Sequence, residues 1–303
     1  MSALRQTEEP LAPSAPVAPA PRPAGGVWTA TARAVYVIWY RDVVRFTRDR
    51  VRLLLSLVQP LLYLLVFGVG LSSSLGSRGV GSGGAGTSIG YVHFMFPGVV
   101  GMAILFNAIF SAMSIVWDRE FGFLREILVA PINRSAVAIG KALGGATQAM
   151  VQGVVMLAFA PVVGVHLSLL SILQVLPVLF VLAFSLSAMG VAVSARMRSM
   201  QGFQMVMNLL MMPMFFLGGS LFPLNSLPTW MTVLTRLDPV AYGIAPVRHL
   251  VLSGAGVSGP VLDQIAAVSI AGHTIPVVGE AALLLAFGFV MLGLGVHGFR
   301  RRD

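Results

Sequence analysis

The chain has 303 residues, of which 56% are hydrophobic and only 10% are charged, and its mean hydropathy is +0.86. Soluble domains carry about a quarter charged residues, so this composition excludes an ordinary soluble protein and indicates a membrane protein. The sequence contains no Cys, which excludes disulfides, thiol catalysis and Cys-ligated metal sites. A formal net charge of +9 would suggest a nucleic-acid partner in a soluble chain, but here the basic residues follow membrane topology and no nucleic acid is expected.

The first segment, Met1–Gly26, is rich in Pro and Ala and contains no apolar run. A cleaved signal peptide needs such a run, so we expect residues 1–26 to be a disordered cytoplasmic tail. Residues 27–303 are expected to form a single transmembrane domain.

Six stretches of that domain are apolar and long enough to cross a bilayer. The hydrocarbon core is about 30 Å thick and takes roughly 20 residues of helix. The predicted spans are Leu53–Leu71, Phe94–Val116, Ala142–Gly164, Leu169–Ser194, Phe203–Phe222 and Val277–Val296. The sequence therefore predicts an all-α polytopic membrane protein with six transmembrane helices, whose termini lie on the same side.

The basic residues indicate which side that is. Of the 20 Lys and Arg residues, all except Arg78, Arg236 and Arg248 fall on the side of the termini. Short cytoplasmic loops of membrane proteins carry an excess of Lys and Arg. We therefore expect a multi-pass protein of a prokaryotic cytoplasmic (inner) membrane, with both termini in the cytoplasm.

Residues 28–52, ahead of the first span, have the pattern of an amphipathic helix. One face carries apolar residues at helical spacing, and the other carries an arginine stripe. The two sets are Trp28, Ala32, Val35, Trp39, Val43 and Phe46, and Arg33, Arg41, Arg45, Arg48 and Arg52. We expect an interfacial helix whose aromatic residues lie at the level of the lipid headgroups.

Residues 117–134, between the second and third predicted spans, are short and densely charged. Trp117, Phe121, Leu124 and Leu128 recur at helical spacing, and Pro131 ends the pattern. This indicates a small cytoplasmic helix that docks on another protein. The alternative is a solvated loop that only fixes topology.

Three further features predict local structure. Residues 223–276 are too apolar for a free loop and too interrupted by Pro and Gly for a span, so we expect short external re-entrant or interfacial helices there. Pro213 should kink or break the fifth span, and Gly218–Gly219 should permit a turn after it. Gly140 and Gly144 form a small-residue motif for helix packing.

Polar residues inside the spans are few. Candidates for a substrate path are Asn107 and Ser111 in the second span and, in the fifth, Gln204, Met205, Asn208, Met211 and Met212. Flexible Met side chains suit a hydrophobic substrate of variable shape, and lipid contact or helix packing is the alternative reading. Ionisable groups appear only near the ends of the spans, at His93, Lys141, Glu280 and His297. Ion-coupled carriers generally need such groups as relays inside the membrane, so energy is expected from a partner. No metal site and no catalytic residue is predicted.

Two sequence blocks resemble the ABC-2-type permease family. The first is the run Asp118-Arg119-Glu120-Phe121-Gly122, then Leu124, Glu126 and Leu128, then Pro131 and Arg134. The second follows the fifth span and comprises Gly218, Gly219, Phe222, Pro223, Leu227, Pro228, Trp230, Asp238, Pro239, Tyr242 and Arg248. The likeness extends from Trp28 to the C-terminus, and within the family the first block is most similar to drug-resistance and nodulation-type exporters.

The resemblance implies a permease that pairs with a second, identical or related permease and with two copies of a cytoplasmic ABC ATPase. ATP and Mg would bind to the ATPase and no cofactor to this chain, which has no G-x-x-x-x-G-K-[ST] loop. The residues that would couple to the ATPase are Asp118, Arg119, Glu120, Gly122, Leu124, Glu126, Leu128, Pro131 and Arg134. Pro223, Pro228, Trp230, Pro239, Tyr242 and Arg248 would form an external signature.

The function expected from this resemblance is export of a hydrophobic drug-like, lipid or glycoconjugate molecule, including multidrug efflux and antibiotic resistance. The chain itself would not be an enzyme. A polysaccharide or teichoic-acid exporter of the same superfamily is one alternative. A membrane-embedded lipid-modifying enzyme and a channel are others, although the sequence lacks the clustered catalytic groups of the first and the polar pore face of the second.

Overall fold

The computed structural model describes residues 27–75, 90–121, 133–223, 227–255, 262, 269–270 and 273–300. Its helices are α1 Val27–Arg48, α2 Arg50–Leu75, α3 Tyr91–Ser111, α4 Met113–Glu120, α5 Arg134–Ala158, α6 Leu169–Ser194, α7 Met200–Leu217, α8 Thr229–Leu237, α9 Ala241–Gly254 and α10 Val277–Arg300. A 3₁₀ turn, Ala160–Val163, follows α5. The predicted tail and residues 122–132 of the predicted coupling segment lie outside the described residues.

The helical architecture predicted from the sequence is confirmed. One small element was not predicted, an antiparallel pair of two-residue strands, β1 Ser269–Ile270 and β2 His273–Thr274. It lies in the interrupted stretch ahead of α10.

Four described helical segments are long and apolar enough to cross a membrane: Tyr91–Glu120, Leu169–Ser194, Met200–Leu217 and Val277–Phe299. The first joins α3 and α4 across Ala112. A fifth candidate is the pair Trp28–Arg48 and Leu53–Gly68, which meet at an angle of 72°. The protein is therefore a membrane protein with four or five candidate spans by length and composition.

The third predicted span, Ala142–Gly164, differs most from the structure. The helix found there, α5, begins at Arg134 and ends at Ala158, and Gly164 takes a left-handed conformation after the 3₁₀ turn. It is not among the candidate spans, because Lys141, Gln148 and Gln152 lower its apolarity. These three side chains are buried, since α5 packs against α1, α3 and α6. Neighbouring helices therefore surround the polar face of α5.

The remaining boundaries move by a few residues. The predicted interfacial helix at residues 28–52 ends at Arg48 as α1, and the first predicted span becomes α2, which starts at Arg50. Of the kink or break predicted at Pro213, the break does not occur, because helix α7 continues through this proline to Leu217. The turn predicted at Gly218–Gly219 is present, and Gly219 has a φ of 71°.

The hydrophobic core lies around α3. Residues such as Phe94, Phe96 and Ile104 are fully buried, and α2, α5, α6 and α9 all pack on this helix. Close approach depends on small residues: a Cβ at Gly98 would collide with the backbone of Ser220. Helix α3 therefore forms the centre of the bundle, and its polar residues Asn107 and Ser111 are buried.

Helix α1 packs on the first half of α5. Its buried face contains Ile38, Asp42 and Phe46, at the i, i+4, i+8 positions of a helical stripe. A Cβ at Gly140 would lie 2.9 Å from Ile38, and one at Gly144 would lie 3.2 Å from Asp42. The predicted Gly140–Gly144 motif thus permits α1 to approach α5 closely, and it brings an acidic side chain into the bundle.

Candidate functional site

A buried ion cluster joins α1, α4 and α5. Lys141 Nζ lies 3.1 Å from Asp42 Oδ2 and 3.2 Å from Asp118 Oδ2, and it donates to Ser114 Oγ at 3.0 Å. The Lys141 side chain is 3% exposed and each carboxylate side chain is 9% exposed. Arg41, about half exposed, lies 3.6 Å from Asp42 and 3.5 Å from Asp118 at the edge of the cluster. Each buried charge therefore has an opposite charge within contact distance.

The next residue after Asp118, Arg119, caps the C-terminal end of α6. Its guanidinium donates to the carbonyl oxygens of Ser194 at 3.2 Å, Ala195 at 3.3 Å and Met197 at 2.5 Å. The last carbonyls of a helix lack intrahelical partners and carry partial negative charge, so a cation is stabilising there. The same guanidinium lies 6.0 Å from the centre of the Phe299 ring on α10.

Glu120, the third residue of the run, contacts α7. Its Oε2 accepts a hydrogen bond of 2.9 Å from the backbone nitrogen of Met200, the first residue of that helix. A carboxylate at a helix N-terminus satisfies a free N–H group and is favoured by the helix dipole. Asp118, Arg119 and Glu120 thus bind three different parts of the bundle from one turn of α4. We call these three residues the α4 anchor.

This geometry refines what the sequence predicted for the coupling residues. Asp118 is buried in an ion cluster within the chain, Arg119 is half-buried, and Glu120 is exposed while holding its bond to Met200. Arg134 is partly buried at the first position of α5. The other coupling residues, Gly122, Leu124, Glu126, Leu128 and Pro131, lie outside the described residues.

Sequence reasoning did not place Asp42 and Lys141 in the candidate site. Two signals point to them. Asp42 interrupts the apolar face of α1, four residues after Ile38 and four before Phe46. Lys141 is the only lysine of the sequence and lies beside a predicted span, where an unpaired charge is costly.

A cavity of about 510 Å³ adjoins the ion cluster, between the α1–α2 bend and the α3–α4 span. Asn107, Ser111 and Ser114 line it at i, i+4 and i+7, one turn apart, and Asp118 follows on the same face. Gln148 of α5 also lines it, and its Nε2 donates to the backbone oxygen of Asp42 at 3.4 Å. A polar stripe therefore runs along the span toward the α4 anchor.

The residues proposed for a substrate path separate into two groups. Asn107 and Ser111 line this cavity. The candidates on α7 do not line it: Gln204, Met205, Asn208 and Met212 are exposed on that helix, and Met211 is buried in the hydrophobic core. The Met-rich wall and the polar pair thus belong to different surfaces of the chain.

At the opposite end of α3, the predicted external signature surrounds a buried arginine. Arg248 is 1% exposed and donates to the carbonyl oxygens of Phe94, at 3.4 Å, and Gly219. Its guanidinium lies 4.1 Å from the centre of the Phe94 ring. Tyr242 donates to the carbonyl oxygen of Arg236 at 2.9 Å. Arg248 thereby ties α9 to α3 and to the turn that ends α7.

The other signature residues bracket the short helices. Pro228 precedes α8, Trp230 is 66% exposed on it, and Pro239 follows the buried Asp238 ahead of α9. Pro223, partly buried, follows the turn after α7. Burial raises the pKa of the Asp238 carboxyl to about 8, although its Oδ1 accepts a hydrogen bond of 2.9 Å from the Val240 nitrogen.

Comparison with known proteins agrees with this architecture. The sequence profile of the ABC-2 type transporter family matches residues 33–252, which include the α4 anchor, the cavity and the buried arginine. The chain belongs to the ABC-2 type transporter family. The match covers most of the described helices of this permease and ends within α9.

Several known proteins are similar to this ABC-2 permease. Nodulation protein J of Rhizobium leguminosarum bv. trifolii is 26% identical over 74% of this chain and 81% of its own length. The inner membrane transport permease YadH of Escherichia coli K12 is 27% identical over 71% of this chain and 82% of its own length. The putative transport permease ycf38 of Cyanophora paradoxa is 26% identical over 71% of this chain and 73% of its own length.

Proposed function

We propose that this chain is the permease subunit of an ABC exporter that moves a hydrophobic or amphipathic molecule out of the cytoplasm. Two copies of a separate cytoplasmic ATPase would drive it, and a second permease, identical or related, would complete the membrane part. Six spans with both termini in the cytoplasm would form each permease, so that α4 and residues 122–132 face the ATPase. A drug-like, lipid or glycoconjugate substrate, as in multidrug efflux, belongs to the same proposal.

The observation that carries this proposal is the α4 anchor. A segment that receives motion from an ATPase transmits it only if it is rigidly joined to the helices that must move. Asp118 binds the Lys141 and Asp42 cluster on α5 and α1, and Arg119 and Glu120 bind the ends of α6 and α7. We call residues 122–132 the docking segment. Its displacement would therefore act on four helices together, through the contacts of the α4 anchor that precedes it.

The charge distribution supports an external energy source. Proton- and ion-coupled carriers use acidic or histidine relays inside the membrane. The buried carboxylates of the ion cluster, Asp42 and Asp118, are instead fixed by Lys141 at 3.1 and 3.2 Å. Such a paired arrangement suits a static joint, and ATP with Mg on the partner ATPase would supply the free energy.

Affinity capture tests this proposal. The tagged permease, purified from native membranes in mild detergent, should carry a soluble ABC ATPase identified by mass spectrometry, and the complex should hydrolyse ATP. Glu126→Arg, which reverses a charge in the docking segment, should give folded permease without ATP hydrolysis. Glu120 is left unchanged in this variant because its carboxylate holds the start of α7.

A matched variant, Arg196→Met, changes an exposed charge at the end of α6 and should keep the ATPase bound. If wild-type preparations reproducibly lack an ATPase and ATP hydrolysis, the exporter proposal is wrong.

A further inference from the structure

The cavity between the α1–α2 bend and the α3–α4 span has two ends of different character. Asn107 and Ala103 line one end, and Trp117 lines the other. The helical distance from Asn107 to Trp117 corresponds to about 15 Å, at 1.5 Å per residue. Arg45 and Asp49, close to the bend between α1 and α2, also line the cavity. It is therefore an elongated space that joins charged residues near the bend to a deep polar amide.

The lining combines apolar and hydrogen-bonding surfaces. Phe106 and Phe110 supply aromatic faces, while Asn107, Ser111 and Gln148 supply amide and hydroxyl groups. Binding sites for small molecules commonly have this mixture, with apolar walls for most of the ligand and a few polar groups that fix its orientation. A molecule with an apolar chain and a polar group matches both surfaces.

Asn107 provides the second observation that points to a ligand. The residue is 7% exposed, and its Oδ1 has no hydrogen-bond partner within the described part of the chain. A buried acceptor without a hydrogen-bond partner is destabilising, a penalty that an apolar residue would not carry. A hydroxyl or amide N–H of a bound molecule would satisfy this oxygen.

The charges of the lining favour an uncharged polar group. Asp42 is neutralised by Lys141 at 3.1 Å, and Arg45 and Asp49 carry opposite charges. Arg45 and Asp49 are exposed near the bend, whereas Asn107 is buried, so a charged group placed beside Asn107 would be buried without a free opposite charge. A hydroxyl or amide group is stabilised by the neutral stripe without this desolvation cost.

We propose that this cavity binds an amphiphile through an uncharged hydroxyl or amide group that donates to Asn107 Oδ1, while its hydrocarbon chain lies against Phe106 and Phe110. The further statement that this amphiphile is the exported molecule rests on the proposed function. The binding site itself does not depend on that function, because all the contacts belong to one chain. Asp42 lines the cavity and shares Lys141 with Asp118, so a bound molecule would lie next to the α4 anchor.

The test uses the absence of Cys from the natural sequence. Gln59 is exposed and lines the cavity, whereas its neighbour Val58 is 48% exposed on the same helix and does not line it. Gln59→Cys and Val58→Cys variants, in phosphatidylcholine nanodiscs, are labelled with N-ethylmaleimide while amphiphile is added. The probes share a dodecyl-length chain: 1-dodecanoylglycerol, dodecyltrimethylammonium and dodecyl phosphate.

We expect 1-dodecanoylglycerol to slow labelling of Gln59→Cys but not of Val58→Cys, and the two charged probes to protect poorly. Adding Asn107→Leu should raise the half-protecting concentration about five- to tenfold, the effect of one hydrogen bond. Adding Gln201→Leu, which also replaces an amide by leucine but at an exposed position on α7, should leave it unaltered.

Three results would overturn the inference: equal protection of both cysteine variants, equal protection by a charged probe, or no effect of Asn107→Leu. The assay contains neither ATP nor ATPase. If no ATPase is captured but 1-dodecanoylglycerol still protects Gln59→Cys, the export proposal is wrong and the binding site stands. If the ATPase is captured but protection is absent, the binding site is wrong and the export proposal stands.

Discussion

Replacement of Lys141 by Met tests the ion cluster directly. Methionine has a similar length but no charge, so the substitution leaves Asp42 and Asp118 buried without their shared ammonium group, which lies 3.1 and 3.2 Å from them. Arg41 remains as the only described cation near both carboxylates, at 3.6 and 3.5 Å, and half of its side chain is exposed to solvent. Removing one partner of a buried ion pair costs about 3–5 kcal/mol.

The size of this effect can be measured as a thermal shift. In a chain of this size 1 kcal/mol corresponds to about 2–4 °C, so the unfolding midpoint of Lys141→Met in detergent should fall on the order of 10 °C. Adding Asp118→Asn to Lys141→Met should recover part of the loss, because Arg41 then faces a single buried carboxylate. Arg196→Met, the same loss of one positive charge at an exposed site, should shift the midpoint by less than about 2 °C.

The assay is fluorescence-detected size-exclusion chromatography after heating, with each variant expressed in the same membranes. A midpoint for Lys141→Met within about 2 °C of wild type, or a double variant no more stable than the single one, would refute the reasoning. Either result would mean that the three charges do not depend on one another for stability.

Two further predictions concern the packing and the pH response. Burial raises the pKa of the Asp238 carboxyl to about 8, whereas the unfolded chain ionises near pH 4, so the folded state holds an extra proton between these values. Stability should therefore fall as pH rises through this window, by up to about 1.4 kcal/mol per pH unit, and Asp238→Asn should flatten the decline in unfolding midpoint; an unchanged slope would contradict this. A Cβ at Gly145 would collide with the hydroxyls of Ser111 and Ser187, so Gly145→Ala should cost about 1–3 kcal/mol. Gly293→Ala, where nothing lies within 4 Å, should be neutral or slightly stabilising, and equal midpoints for the two glycine variants would count against the packing described.

The helical fold was predictable because apolar length is a strong signal. Spans close to α2, α3, α6, α7 and α10 follow from runs of about 20 apolar residues. Helix α5 was harder to place, since the sequence shows its polar residues but not that neighbouring helices enclose them. Its true start, Arg134, is preceded by Asn133, whose side chain accepts from the Ser135 nitrogen as an N-cap. The apolar pattern alone begins later, at Ala142.

The residues of the candidate site were predictable to different degrees. The run Asp118–Glu120 could be identified as important from its motif, but the motif says nothing about which partners lie inside the chain. The Asp42–Lys141 pair joins residues 99 positions apart, so only tertiary structure reveals it. Arg248 could be recognised as an exception to the charge asymmetry, and its burial against two backbone carbonyls explains how an arginine is tolerated there.

The substrate path illustrates a limit of composition. The polar residues of the second and fifth spans all lie in apolar segments, which makes them similar candidates by composition, yet in the structure they lie on different surfaces. Asn107 lines the cavity beside α1, while Asn208 lies on an exposed face of α7. Sequence spacing fixes which residues share a face of one helix, but the rotation of each helix in the bundle depends on packing against its neighbours.

The proposed function depends on docking of residues 122–132, which follow the α4 anchor, on an ATPase. The most direct measurement is site-specific crosslinking in native membranes, with a single cysteine introduced at Leu128 and labelled with a photoactivatable reagent. The same reagent at Trp230, which is 66% exposed on α8, provides the control. We predict a crosslinked adduct with a soluble ABC ATPase at Leu128 and none at Trp230. No ATPase adduct at Leu128, or an equal yield at Trp230, would contradict the proposed docking.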